Sequence, residues 1–170
     1  MTEAQPAMSK QSRAEAIINR YLPWSMGAGL VPIPIADAAM VVGIQVKMLA
    51  EISQVYSVEF SENAGKAVIA SLIGGVGSTT VAAGTFGSLI KGIPGFGAIL
   101  GVATLPVIAG ATTYAIGKVF TQHFESGGTF LTFNSVDAKK VFDDKLAEGK
   151  SRVSTLVHAV DAKVSEAINF

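Results

Sequence analysis

The stretch AVIASLIGGVGSTTVAAGTFGSLI, residues 67–90, runs 24 residues without a charge, and after Lys91 the stretch GIPGFGAILGVATLPVIAGATTYAIG, residues 92–117, runs 26 more. A bilayer's hydrocarbon core is crossed by about 20 apolar residues as helix, so each run has the length of a transmembrane span. A Gly-Ile-Pro-Gly break, Gly92 to Gly95, separates them. Read together, they predict a membrane-inserted helical hairpin over 61–123 in an all-α protein. The first leg is rich in small residues, among them Gly74, Gly77, Gly84 and Ser88; the second carries Gly97 and Gly101 one turn apart. In lipid, small residues let helix backbones approach, which predicts packing within the hairpin and between copies. Pro106 removes one intrahelical hydrogen bond and predicts a kink. No ionisable group falls mid-span, which argues against proton-coupled transport.

The flanks read as helices. Residues 1–10 form a polar lead expected to be disordered. Over 11–60, Ser12 and Glu15 have capping-box spacing, and Ala14, Ile17, Ile18, Tyr21 and Leu22 recur on one face. Pro23 bends or ends that run, Trp24 to Val31 is apolar and small, and Pro32-Ile33-Pro34 stops any helix. A second helix follows, with Lys47 and Glu51 at pairing distance. Over 124–170 the expectation is a short extended stretch, from the alternation at residues 129–133, and two helices. The first is capped by Asn134 or Ser135 and stopped at Gly149. The second carries Val153, Leu156, Val157, Val160, Val164 and Ile168 as an apolar stripe.

Composition agrees with a membrane setting. Charged residues make up 15% against about 25% in soluble domains, and mean hydropathy is +0.46. Zero formal net charge gives no field favouring nucleic acid. With no cysteine, disulfides and thiol chemistry are excluded. Met1 to Arg20 lacks the basic start and apolar core of a secretory signal, so internal segments would direct insertion.

Candidate chemistry is sparse. Gly74-Gly75-Val76-Gly77-Ser78-Thr79-Thr80 imitates a phosphate loop but has no following lysine and no preceding strand, so close helix packing is the better reading. His123 and His158 lack a nucleophile or further ligands, which leaves no catalytic or metal site. Thr79, Thr80, Thr112, Thr113 and Tyr114 could line a water path. More often such hydroxyls bond their own backbone or a neighbouring helix.

One combination is familiar. The run Ala28 to Pro34 with Pro32 and Pro34, then Asp37, then Gln45-Val46-Lys47-Met48-Leu49 and Tyr56, resembles the opening of the domain of unknown function 697 family. Further on, Lys91-Gly92-Ile93-Pro94-Gly95, Tyr114 to Lys118, and His123-Phe124-Glu125-Ser126-Gly127-Gly128 match as well. The resemblance covers about Arg20 to Phe133. It implies a bacterial, membrane-associated protein, often linked to GTPases, and supplies no catalytic residue set. This chain has no GTPase domain, so any GTPase partner acts in trans.

The sequence thus predicts a non-enzymatic integral membrane scaffold without cofactor. It would sit in a bacterial inner or internal membrane and self-associate. Since 12 of 13 Lys and Arg lie on the flanks and only Lys91 at the hairpin tip, both termini are expected in the cytoplasm. The alternative is an oligomeric channel.

Overall fold

Local polar groups mark where each helix starts and stops. The computed structural model describes residues 8–28, 34–74 and 104–168, and every regular element among them is a helix. Helix α1, Lys10–Ala28, is capped by Ser9, whose hydroxyl accepts from the Ser12 N–H at 3.1 Å and whose carbonyl accepts from the Arg13 N–H at 3.0 Å. The cap lies three residues before the expected Ser12, which is itself the third helical residue and supplies the donor. Pro23 lies inside α1 without ending it; Pro23 and Asn19, whose carbonyl loses a donor there, are both exposed.

Helix α2, Pro34–Tyr56, begins at a proline, which costs no hydrogen bond in a first turn. It ends with Ser57 in the left-handed region (φ 60°). There the Val58 N–H reaches the Ser53 carbonyl at 2.9 Å, and the Ser57 N–H reaches that of Gln54 at 3.2 Å. This is the double closure of a Schellman cap. Helix α3, Glu62–Gly74, carries an exposed Glu62–Lys66 pair at 2.6 Å in its first turns.

Helix α4, Thr104–Glu125, ends in the same way. Gly127 has φ 87°, its N–H bonds the Phe124 carbonyl at 3.0 Å, and the Gly128 N–H bonds that of His123 at 2.9 Å. The expected extended stretch at 129–133 is instead a turn. The Thr129 N–H donates to the Thr132 hydroxyl at 2.8 Å and the Thr132 N–H to the Thr129 carbonyl at 3.2 Å. This directs Phe130 and Phe133, three apart, to rings around Phe120, and leaves Leu131 almost wholly exposed.

Helix α5, Ser135–Ile168, is one unbroken element where two were expected. Asn134 caps it, its side-chain oxygen accepting from the Val136 N–H at 2.9 Å. Gly149 does not stop it, because its role is contact. A Cβ built there would lie 2.9 Å from the Ala111 carbonyl oxygen and 3.0 Å from the Tyr114 ring.

These contacts place α4 at the centre, against α1, α2 and α5, with α3 packed on α2 and α5. Gly117 admits Ile18 and Met48; a Cβ there would meet Ile18 at 2.6 Å. The core runs through Ile18, Leu22, Met48, Leu49, Ile52, Leu72, Tyr114, Ile116, Phe120 and Phe142. Helix α4 is therefore free of charge up to Lys118 because other helices surround it, a demand on sequence much like that of lipid. The second uncharged run, 92–117, thus lies from Thr104 onward in a helix surrounded by other helices. No helix among the described residues is long and apolar enough to cross a membrane.

Candidate functional site

Three arrangements of side chains stand out, and the first is buried. On α1, α2 and α4, Ser25, Gln45 and Thr113 are all fully enclosed. Gln45 Nε2 donates to Thr113 Oγ1 at 3.2 Å, Thr113 donates to Ser25 Oγ at 2.9 Å, and Ser25 donates to the Tyr21 carbonyl at 3.2 Å. Each hydroxyl accepts one bond and passes one on, so three helices are tied by a chain of neutral hydrogen bonds in a low-dielectric core. Gln45 Oε1 has no partner among the described residues. A buried amide oxygen left this way costs stability and restricts which core could hold it.

The second arrangement rings Tyr114. The residue is 2% exposed, and its hydroxyl donates to Glu148, which also takes Lys145 at 2.7 Å. Arg152 lies 5.5 Å from the Tyr114 ring centre and donates to Asn19 Oδ1 at 3.0 Å, while Lys118 pairs with Glu15. Burial, then the bond to Glu148, pushes the Tyr114 phenol up to about 12. The ammonium of Lys145, then the phenol, holds Glu148 below the usual carboxylate range. On α1 and α2 the same device recurs. Tyr21 donates to Glu51 at 2.6 Å, Arg20 pairs with that carboxylate, and the Tyr21 phenol rises to about 12 through burial first. Glu51 thus binds α1 rather than the expected Lys47, which is exposed. Both clusters are phenol–carboxylate clasps between helices, and neither presents an activated nucleophile.

His123, half-buried among Phe120, Phe124 and Phe133, bonds the Thr129 carbonyl through Nε2 at 2.9 Å. Its ring fills the space a Gly128 side chain would need, with atoms 2.3 to 2.6 Å from a built Cβ. Among the described residues no three His, Cys, Asp or Glu side chains gather as a metal site.

The third arrangement is a pole of the bundle. Ala28, Val41, Ile44 and Ala109 pack together, which brings the end of α1 and the starts of α2 and α4 to one place. Close by, Met26 and Val153 converge on Gly110. Trp24 is 69% exposed and Met40 47% on these elements.

The positions singled out in the sequence separate accordingly. Gln45 and Tyr114 belong to the first two clusters. Glu125, Gly127 and Gly128 form the end of α4, and Glu125 also helps burial raise the Tyr56 phenol. Pro34 and Asp37 lie in the first turn of α2, and Gly74 closes α3. Pro32, Gly77, Gly84, Ser88, Lys91, Pro94, Gly95, Gly97 and Gly101, like Thr79 and Thr80, lie outside the described residues. Thr112 bonds its own backbone at Ile108, 2.8 Å, and Thr113 is in the core, so neither is placed to line a water path. Sequence reading missed Ser25, Glu148 and Arg152. Their signal was spacing between distant segments, which one chain does not display.

Among the described residues, a core of five helices with two phenol–carboxylate clasps and left-handed helix ends carries these motifs as structural elements. The chain belongs to the family described as domain of unknown function (DUF697), whose model matches residues 3–151. It is 42% identical over 138 residues to a protein named magnetosome membrane protein 22 from Magnetospirillum gryphiswaldense, spanning 81% of this chain and 71% of that one. No solved structure matches. The family and this relative support a membrane-associated bacterial protein.

Proposed function

We propose that this protein is a non-enzymatic membrane scaffold, anchored by residues 75–103 and displaying its helical bundle on the cytoplasmic side. One observation carries the reading: α3 and α4, which bracket this segment, pack into the same bundle through α2 and α5. The segment holds 29 residues with Lys91 as its one charge. A chain held at both ends by one body must go out and return. The anchor is a re-entrant hairpin, since Pro94 within it and Pro106 just after it both disturb a straight passage, with Lys91 near its tip and both termini on the bundle's side. The relative's description as a magnetosome membrane protein favours an internal bacterial membrane as its location. Gly77 and Gly84 on one leg and Gly97 and Gly101 on the other give small faces for packing between copies. A GTPase acting in trans is the partner class that the family resemblance implies for the exposed bundle.

The chain has no cysteine, so single-cysteine labelling starts from a clean background. Membranes washed with alkaline carbonate should retain the protein. Cysteine at Thr2 or Asn169 should react from the cytoplasmic side only, and cysteine at Gly92 should not react from the opposite side. Release by carbonate would refute the anchor; labelling of Gly92 from the far side would replace the re-entrant hairpin with a full crossing. Ion conductance across liposomes would redirect the reading to a channel.

A further inference from the structure

Charge is segregated along the bundle axis. In α1, Lys10, Arg13, Glu15 and Arg20 all precede Tyr21, and no charge follows before the helix ends at Ala28. In α2, Asp37 is the one charge before Lys47. Helix α4 has none until Lys118, and α3 none after Lys66. Ser25 meets Thr113 and Met26 meets Gly110, whereas Ile18 meets Gly117, so α1 and α4 are antiparallel; Gln45 meets Thr113 and Met48 meets Gly117, so α2 and α4 are parallel. The charge-poor ends of α1, α2 and α4 therefore coincide, with Asp37 as their one charge. Helix α5 is antiparallel to α4, and its run of charges from Asp137 to Arg152 is complete before Val153 reaches Gly110.

A water-facing end of a bundle has no reason to be so poor in charge, and this one, where Asp37 is the one charge on the ends of α1, α2 and α4, exposes the chain's single tryptophan, Trp24, together with Met40. The chain enters α4 at this same end, since α4 begins with Thr104 there, and it carries no charge from Gly92 to Gly117. Tryptophan is favoured at the membrane–water boundary because its ring is apolar and its N–H is a donor. We infer that this pole is the face that rests on the bilayer, with Trp24 and Met40 entering the interfacial layer beside the anchor. The inference rests on the membrane reading above and adds to it the face and the residues that touch lipid. Helix α5 sets the tilt. Past Val153 it runs about 22 Å further, well beyond its contact with Gly110. The projecting part carries Lys163 and Glu166, both exposed, which belong in the headgroup layer rather than in hydrocarbon. The bundle axis is therefore inclined to the membrane normal.

Because Trp24 is the one tryptophan, its fluorescence in the full-length protein reports this face alone. The probe is phosphatidylcholine vesicles whose acyl chains are brominated near the headgroup. A second protein, Trp24→Phe with Leu131→Trp, reports the turn beside the opposite pole. The expected result is a blue shift of Trp24 emission on reconstitution, loss of intensity with brominated lipid, and protection from aqueous acrylamide. The Leu131→Trp reporter should remain open to acrylamide and unaffected by bromine. Carbonate-resistant protein whose Trp24 is quenched only from water would overturn the proposed orientation and leave the anchor standing. A blue shift without quenching by bromine would mean that a second copy covers Trp24, and would also overturn it. Equal bromine quenching at both reporters would remove the polarity claimed here. Carbonate release of the protein would remove both readings together.

Discussion

Gly149→Ala opposes two effects of known size at one atom. Adding a methyl group to a mid-helix glycine favours the helix by about 0.5–1 kcal/mol, since the unfolded chain loses freedom. At Gly149 the new Cβ would lie 2.9 Å from the Ala111 carbonyl oxygen, 3.0 Å from Tyr114 and 3.1 Å from the Ala111 Cα. Two of these are backbone atoms that cannot rotate away, so α5 would have to move off α4. Overpacking of this kind costs about 1–3 kcal/mol, and the Tyr114–Glu148 clasp one residue away would stretch with it. The net expectation is a loss of about 1 kcal/mol. Gly43, in α2, provides the control: a Cβ there meets nothing within 4 Å among the described residues. Gly43→Ala should gain close to the full helical term, and the two variants should differ by about 2 kcal/mol. For a chain of this size that is roughly 4–8 °C in Tm. Thermal melts of both variants and the wild type in one detergent, followed by helical circular dichroism, measure the difference. If Gly149→Ala stabilises as much as Gly43→Ala, the α4–α5 crossing described here is wrong.

The buried hydrogen-bond chain predicts that Thr113→Val, although similar in shape, costs about 1–3 kcal/mol in denaturant unfolding, because Ser25 and Gln45 each lose a partner. Removing all three polar groups together, as Ser25→Ala, Gln45→Leu and Thr113→Val, should cost less than the sum of the single variants. Ser57→Gly should raise the unfolding free energy by about 1 kcal/mol, since Ser57 adopts the left-handed conformation that glycine occupies without strain. The tyrosine clasps predict an alkaline limit. Tyr21 and Tyr114 have phenols raised from 10 to about 12, so their contribution is complete below pH 10 and is lost as pH rises toward 12. Glu148, held below its ordinary 4.5, contributes above that pH and loses its share as pH falls beneath it. Melting temperature against pH should therefore fall at both ends, and Tyr114→Phe should flatten part of the alkaline limb.

Much of this was legible in the sequence, and for physical reasons. The all-helical class followed from apolar residues recurring at helical spacing, as with Ala14, Ile18 and Leu22, all buried as that spacing requires. The helix start at Asn134 and the close at Gly127 followed from local chemistry, since caps and left-handed positions depend on a few neighbouring residues. Glycine was ambiguous. At Gly149 the same residue type serves a close crossing with Ala111 instead of a stop, and only the partner helix distinguishes the two. Absence of charge was ambiguous in the same way. It marked residues 92–117 as a span, yet from Thr104 onward the surrounding medium is other helices, and a protein core and a bilayer exclude unpaired charge for the same dielectric reason. Tertiary structure alone decided which distant groups meet: Tyr114 with Glu148, Ser25 with Thr113 and Gln45, and the charge-poor ends of three helices at one pole. The chain by itself settled what each segment can form, because those preferences are local. Packing settled what each segment touches, because contact depends on residues 30 or 88 positions away.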